Sequence, residues 1–252
     1  MPKSLLAPAA LALALASGAQ ADDLDLSNMS DSERAAFGDA VRNYLLENPE
    51  VIMEAVQALE ERQQAQQAQD DKTLVADNAE AIFEDGYSWV GGNPDGDITV
   101  VEFLDYRCGY CRRAHPEVLE LIAGDGDIRY IVKEFPILGE NSVLSSRFAL
   151  AVRKVAGDEA YEAASEALMA LNQDMEPPVM RRLAETLGLN ADAVLETMDS
   201  DAITEQLAET RALAQKLQIS GTPTFVMGDE LVRGYVPLEA MQQIVEAERQ
   251  EG

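Results

Sequence analysis

The 252-residue chain carries 46 acidic residues against 19 basic ones, a formal net charge of −27. Such a surplus argues against nucleic acid or an anionic membrane surface as a partner. Only two cysteines and one histidine are present, too few for a disulfide-stapled scaffold and a poor set for a four-ligand zinc site.

Residues 1–21 read as a secretory signal. Lys3 supplies the positive end, an apolar run follows from Leu5 to Ala16, and Ala19-Gln20-Ala21 is an A-x-A cleavage site. The run is too short to span a bilayer, so export with cleavage after Ala21 is expected, into an oxidising compartment. Next, Ser30-Asp31-Ser32-Glu33 has the capping-box pattern and opens a helix with Phe37, Val41, Tyr44 and Leu45 along one face. Asn48-Pro49 restarts a second helix, with Val51, Ile52, Ala55, Val56 and Leu59 on its apolar side. Residues 60–71 are almost wholly polar and read as a linker with helix propensity but nothing to bury. Leu74, Val75, Ala79, Ile82 and Phe83 then restore an apolar face. Residues 22–85 are thus expected to form a helical arm and linker, folding back on the body or pairing with copies of itself.

The body, residues 86–252, begins with a short strand near Trp89 and a turn-rich stretch, residues 91–97. Residues 98–104 form an apolar, β-rich run broken only by Glu102. A buried carboxylate there would be costly unless protonated or paired, and burial would raise its pKa. Cys108-Gly109-Tyr110-Cys111 follows, at the first turn of a helix, where free N–H groups and the positive dipole end favour an exposed thiolate at Cys108. Cys111, one turn on, is placed to attack a mixed disulfide formed at Cys108. Arg107, Arg112 and Arg113 form a local basic cluster that would add to thiolate stabilisation. Pro116 should kink the helix, and His115 falls one turn beyond Cys111 on the same face. Residues 128–135 alternate like a strand, closing a βαβ unit in which Lys133 is positioned to face Glu102 from the neighbouring strand. Five helical segments fill residues 141–217, and Gly221-Thr222-Pro223-Thr224-Phe225 leads into a terminal hairpin and helix.

Three bland readings compete for the cysteines. A structural disulfide across so short a loop removes little unfolded-state entropy. Zinc lacks ligands. A two-thiolate Cu(I) site held by Cys108 and Cys111 suits soft-metal preferences and stays open. Redox chemistry is favoured over all three, because an exported chain is using its cysteines sparingly.

From about Trp89 onward the chain resembles the thioredoxin-fold, DsbA-like thiol–disulfide oxidoreductases. The resemblance rests on Cys108-Gly109-Tyr110-Cys111 with Pro116, on Glu102 six residues before the first cysteine, on Lys133-Glu134-Phe135-Pro136-Ile137-Leu138-Gly139, and on Gly221-Thr222-Pro223-Thr224-Phe225. It implies an α/β thioredoxin fold with a multi-helix insertion, preceded by an N-terminal helical arm. It also implies Cys108, Cys111 and Glu102 as catalytic residues, and a cis bond before Pro223. Thr222, Pro223 and Tyr110 would bind substrate. No dissociable cofactor is implied; the redox group is the Cys108–Cys111 disulfide itself. Gly109-Tyr110 and Thr222 resemble DsbC-type isomerases, and residues 41–51 resemble the arm of the suppressor-of-copper-sensitivity protein C group. That implies a periplasmic disulfide isomerase acting on cysteine-containing exported proteins, a homotrimer through the arm, and a membrane thiol reductant. A DsbA-type oxidase with a quinone-linked partner, or a Cu(I)-binding protein, is the alternative.

Overall fold

The computed structural model describes residues 28–251, so the signal segment lies outside the described residues. The chain forms two compact units that meet at Glu60 and Glu61. In the first, helix α1 (Asp31–Glu47) opens on the capping box expected from its sequence: the Ser30 side chain accepts from the Glu33 N–H, and Glu33 accepts from the Ser30 N–H at 2.8 Å. The helix ends at Asn48, whose N–H and side-chain amide both bond the Tyr44 carbonyl. No residue of α1 is buried. Phe37, Tyr44 and Leu46 stay exposed, as do Ile52, Met53 and Leu59 in the first turns of α2 (Glu50–Asp77).

The second unit takes in more chain than the pattern of polar residues implies. Residues 60–71 are helical throughout, within α2, and Val75 together with Ile82 of α3 (Ala79–Phe83) is buried in its core. The division expected near residue 85 therefore falls after Glu60. Asp71 anchors this end of α2 by a bidentate ion pair with Arg233, whose guanidinium also reaches the Leu217 carbonyl.

Five strands form one sheet in the order β1-β3-β2-β4-β5. They are β1 (Trp89–Gly92), β2 (Ile98–Leu104), β3 (Ile128–Glu134), β4 (Thr224–Met227) and β5 (Glu230–Arg233). Between β2 and β3 runs α4 (Gly109–Asp125), continuous through Pro116, and the two strands it joins are parallel, as a βαβ unit requires. β1, β4 and β5 each pair antiparallel with their neighbours. Both faces of β2 are covered, which is why it reads as an unbroken apolar run. Val100, Leu104, Tyr130, Val132 and Phe225 belong to a core on one face. Val101, Phe103, Ile131 and Val226 belong to a second core with Val75, Ile82 and Leu217. Each such side chain taken from water contributes roughly 1.5–3 kcal/mol.

The insertion contains the five helices expected: α5 (Glu140–Ala156), α6 (Asp158–Ala170), α7 (Pro177–Thr186), α8 (Ala191–Met198) and α9 (Asp201–Lys216). Helix α10 (Leu238–Glu251) closes the chain. α5 packs against both α6 and α8, with Ser142, Ser145, Ser146 and Ala149 buried along it, small residues that let helices approach closely.

Lys133 does not face Glu102. In the parallel register Glu102 pairs with Val132 and Lys133 with Phe103, so strand alternation sends the two charges to opposite faces of the sheet. Lys133 is instead fully buried on the second face, 2.5 Å from Asp85 and 2.9 Å from the Ala81 carbonyl. Asp85 also accepts from the Ser88 hydroxyl at 2.6 Å. Replacing Asp85 with Ala strands that ammonium without a counter-ion. The expected cost is about 3–5 kcal/mol, read by chemical denaturation; a loss below about 1 kcal/mol would mean that Lys133 escapes to water.

Candidate active site

Cys108 is the N-cap of α4, with extended backbone (φ −76°, ψ 120°) and no side-chain capping bond. The first intrahelical bond runs from the Arg112 N–H to the Cys108 carbonyl, so the N–H groups between them, in the helix's first turn, lack helical acceptors. Antiparallel pairing of β2 with β4 sets Phe103 opposite Thr224 and carries the chain before β4 across the helix start. The Thr222–Pro223 peptide bond is cis. The Cys108 thiol donates to the Thr222 carbonyl at 3.1 Å. Two further bonds hold this loop, Thr224 Oγ1 to the Gly221 carbonyl and the Gly234 N–H to the Pro223 carbonyl, both 2.9 Å.

Both cysteines are free thiols and both are covered. Cys111 has no exposure; Cys108, expected to be exposed, retains 7% because the Thr222 loop lies over its sulfur. The Cys111 sulfur accepts a long contact, 3.5 Å, from the Asp105 N–H. Burial, helped by the negative charge of Glu102, pushes the Cys111 thiol far above its ordinary range.

Glu102 sits where its sequence position implied, fully buried on the face of β2 that carries the cysteines. The Tyr130 hydroxyl donates to its Oε2, while Oε1 has no partner among the described residues. Burial raises its pKa from the ordinary 4.5 to about 7, against the lowering effect of the Tyr130 bond and with a smaller contribution from Glu134. A carboxyl of that affinity beside a desolvated thiol can accept and return its proton near neutral pH.

Two further acids were not singled out from sequence. Asp105, fully buried, accepts from the Arg107 N–H at 2.8 Å with one oxygen and from the Ile137 and Leu138 N–H groups at 2.9 and 3.0 Å with the other. It ties the loop before Cys108 to the segment after β3. Its signal was local: an aspartate two residues before an arginine at a strand end is a turn-former. Glu134 accepts from the Tyr106 and Tyr161 hydroxyls, each at 2.7 Å, and burial raises its pKa to about 7. Alternation along β3 puts Tyr130, Val132 and Glu134 on the face of Glu102, a pattern readable in the sequence once the register is known.

The arginines do not converge on the thiol. Arg107 bonds the Gln173 carbonyl at 2.9 Å and pairs with Asp174. Arg112 bonds the Tyr106 and Leu171 carbonyls and the Asn172 side chain. Arg113 lies 4.5 Å from the centre of the Tyr235 ring. Tyr110 is well exposed beside Cys108 and stacks on Tyr235, whose hydroxyl donates to Glu117 at 2.7 Å. The Thr222–Pro223 loop thus covers the sulfur, with exposed Tyr110 two residues along the helix. Among the described residues, no group of three His, Cys, Asp or Glu side chains is placed to hold a metal ion.

Residues 99–246 match the DSBA-like thioredoxin domain family, and residues 33–66 match the copper resistance protein ScsC N-terminal domain. Na(+)/H(+) antiporter NhaA 3 of Salinispora tropica is 28% identical over 156 residues, which cover 62% of this chain; the chain spans only about a quarter of that relative, 24%. Disulfide bond formation protein D of Bacillus subtilis is 25% identical over 167 residues, 62% of this chain and 75% of the relative. A thioredoxin-like oxidoreductase from Silicibacter pomeroyi is 41% identical, superposing with a TM-score of 0.64 over 68% of this chain and 97% of its own. Proteus mirabilis ScsC in a transitional conformation is 25% identical, with a TM-score of 0.65 over 89% and 98%.

Glu102 also sets a pH dependence of stability. Its folded pKa, about 7, lies above the ordinary 4.5. Between those values the native state holds a proton that the unfolded chain has released, so stability falls as pH rises through that window and levels off above it. The loss is about 3 kcal/mol for Glu102 alone. Glu102→Gln is expected to be more stable than wild type at pH 8 and no more stable at pH 4.5, by urea denaturation. Parallel curves for the two proteins across that range would refute the assignment.

Proposed function

The chain belongs to the DSBA-like thioredoxin domain family, and we propose that it is an exported thiol–disulfide oxidoreductase that works as a disulfide isomerase on cysteine-containing periplasmic proteins. The observation that carries the redox reading is the pairing of a helix-start sulfur against the Thr222–Pro223 loop with a fully buried second sulfur beside a carboxyl that titrates near 7.

The chemistry is dithiol exchange. The Cys108 thiolate attacks one sulfur of a substrate disulfide, a Cys108–substrate bond forms, and the other substrate sulfur leaves as thiolate. That thiolate attacks a different disulfide of the substrate, and the new thiolate released there attacks the mixed disulfide and expels Cys108, which completes a rearrangement with no net redox change. When rearrangement stalls, the Cys111 thiol gives its proton to Glu102 and its sulfur attacks Cys108. The Cys108–Cys111 disulfide forms and the substrate leaves as a thiol, reduced by two electrons. Restoring the dithiol then requires an external thiol reductant, for which a membrane protein facing the same compartment is the fitting source. The Thr222 carbonyl, once released by the thiol, and the neighbouring backbone of the loop present edge groups to an extended substrate strand, with Tyr110 at its side. The cysteine pair is the redox group, and no dissociable cofactor enters.

The isomerase reading rests on the arm. Residues 33–66 match the ScsC N-terminal domain, and that stretch carries an exposed apolar series including Phe37, Tyr44, Leu46, Ile52, Met53 and Leu59. Copies joined through those residues, as a homotrimer, would set several thiols around one substrate. The likeness to disulfide bond formation protein D favours an oxidase instead.

Cys111→Ser should accumulate the mixed disulfide with a cysteine peptide, and Cys108→Ala should abolish exchange, both by mass spectrometry after acid trapping. Reduced wild-type protein should reactivate scrambled ribonuclease and run as a trimer in light scattering. Leu46→Glu with Met53→Glu should give monomers that retain peptide reduction and lose reactivation. A wild-type protein that only introduces disulfides, and is monomeric, would point to the oxidase.

A further inference from the structure

Glu102 has no exposed surface, yet every passage through Cys111 must load or unload its proton. The one hydroxyl bonded to it, that of Tyr130, belongs to a ring that also lines a small cavity between α4 and α6. His115, Tyr161 and Ser165 line the same space, and exposed Glu162 and Glu166 stand at its rim. The cavity is about 20 Å3, room for a single water; Trp89, Leu104, Leu119 and Val132 make most of its wall apolar, and His115, Tyr130, Tyr161 and Ser165 are the residues there whose polar groups such a water would bond. His115 Nε2 is buried and has no partner among the described residues. An apolar side chain would fill this position without the cost of a desolvated, unbonded nitrogen. The chain's only histidine is therefore an expensive filler, unless the nitrogen has work to do.

We propose that the proton exchanged between Cys111 and Glu102 passes to and from solvent through the Tyr130 hydroxyl, one water in this cavity, and His115, emerging beside Glu166. The route rests on the dithiol reading above and deepens it. As Cys111 attacks, its proton moves to Glu102. The Glu102 O–H then donates to the Tyr130 oxygen while the Tyr130 hydrogen passes to the water, and the water hands a proton to His115. His115 releases it to solvent past Glu166, and each carrier returns to its starting protonation state. The reverse sequence reprotonates Cys111 when the disulfide is reduced. The groups facing His115 suit transit rather than storage. Burial lowers its proton affinity, the charge of Glu166 on α6 partly opposes that, Glu162 lies further along the same rim, and Tyr130 and Tyr161 are neutral phenols. His115 is a positioning residue in this scheme, acting on the thiol only through Tyr130 and Glu102.

The test follows resolution of a preformed mixed disulfide between full-length protein and a cysteine peptide, by stopped flow from pH 6 to 8. In His115→Ala, release of peptide by Cys111 should slow roughly tenfold, with the pH profile flattened, while formation of the mixed disulfide by Cys108 keeps its rate. Added imidazole should restore release in a saturable manner, a rescue that a purely structural defect would not show. Leu119→Phe, which narrows the same cavity without altering a polar atom, should also slow release and should not respond to imidazole. It serves in addition if His115→Ala does not fold. Wild-type release in both variants, or slow release in His115→Ala that imidazole leaves unchanged, overturns the route. If Glu102→Gln alone is slow, the dithiol mechanism stands without this path. If exchange survives in Cys108→Ala, the underlying reading fails instead.

Discussion

The pairing of β2 with β4 is the constraint from which the site follows. It joins residues more than a hundred positions apart, Val100–Phe103 with Thr224–Met227. Once those strands are hydrogen-bonded, the residue that ends β2 and the residue that precedes β4 have no choice but to meet at the same sheet end. Cys108 begins the helix that leaves one strand, and Pro223 ends the loop that enters the other. The thiol–carbonyl contact at 3.1 Å is the local result. Such a non-local pairing pays its loop-closure entropy before any reward arrives, and the five insertion helices lie within the span it closes.

Beneath that contact the protein places acids where solvent cannot reach them. Asp105 is matched with three backbone N–H donors, which makes it an anchor. Glu102 and Glu134 are matched with phenols, each with an oxygen left without a partner among the described residues, and both are pushed toward neutral pH. The same carboxyl group, in three settings within one sheet end, thus does different things. A structural carboxylate is surrounded by donors; a titrating one is surrounded by bulk, with phenol hydroxyls on one of its oxygens only.

Sequence patterns disclosed the chemistry better than its wiring. The C-x-x-C, the acid six residues earlier, the Thr-Pro loop, the βαβ unit and all five insertion helices could be read because each is local: a spacing, a period or a proline. What escaped depended on register or on distant partners. Lys133 was aimed at Glu102, but a one-residue offset in a period-two element reverses the face. The arginines near Cys108 looked like thiolate partners until the 171–174 loop, sixty residues on, claimed Arg107 and Arg112. The cover over the Cys108 sulfur comes from residue 222, and nothing near position 108 foretells it. The polar stretch at 60–71 looked like a linker because composition registers what a helix can bury, and only Asp71 within it is buried, in an ion pair with Arg233.

Trp89, the chain's sole tryptophan, lies edge-on to Tyr130 at 6.0 Å and tilted against Tyr161 at 5.5 Å. Tyr130 is bonded to Glu102, and Tyr161 is one of the two phenols bonded to Glu134. The indole's excited state responds to nearby charge and to quenching by neighbouring groups, so its emission is an optical window onto the two buried acids. Ultraviolet light can therefore follow their ionisation in real time, in the unmodified protein and without an attached dye.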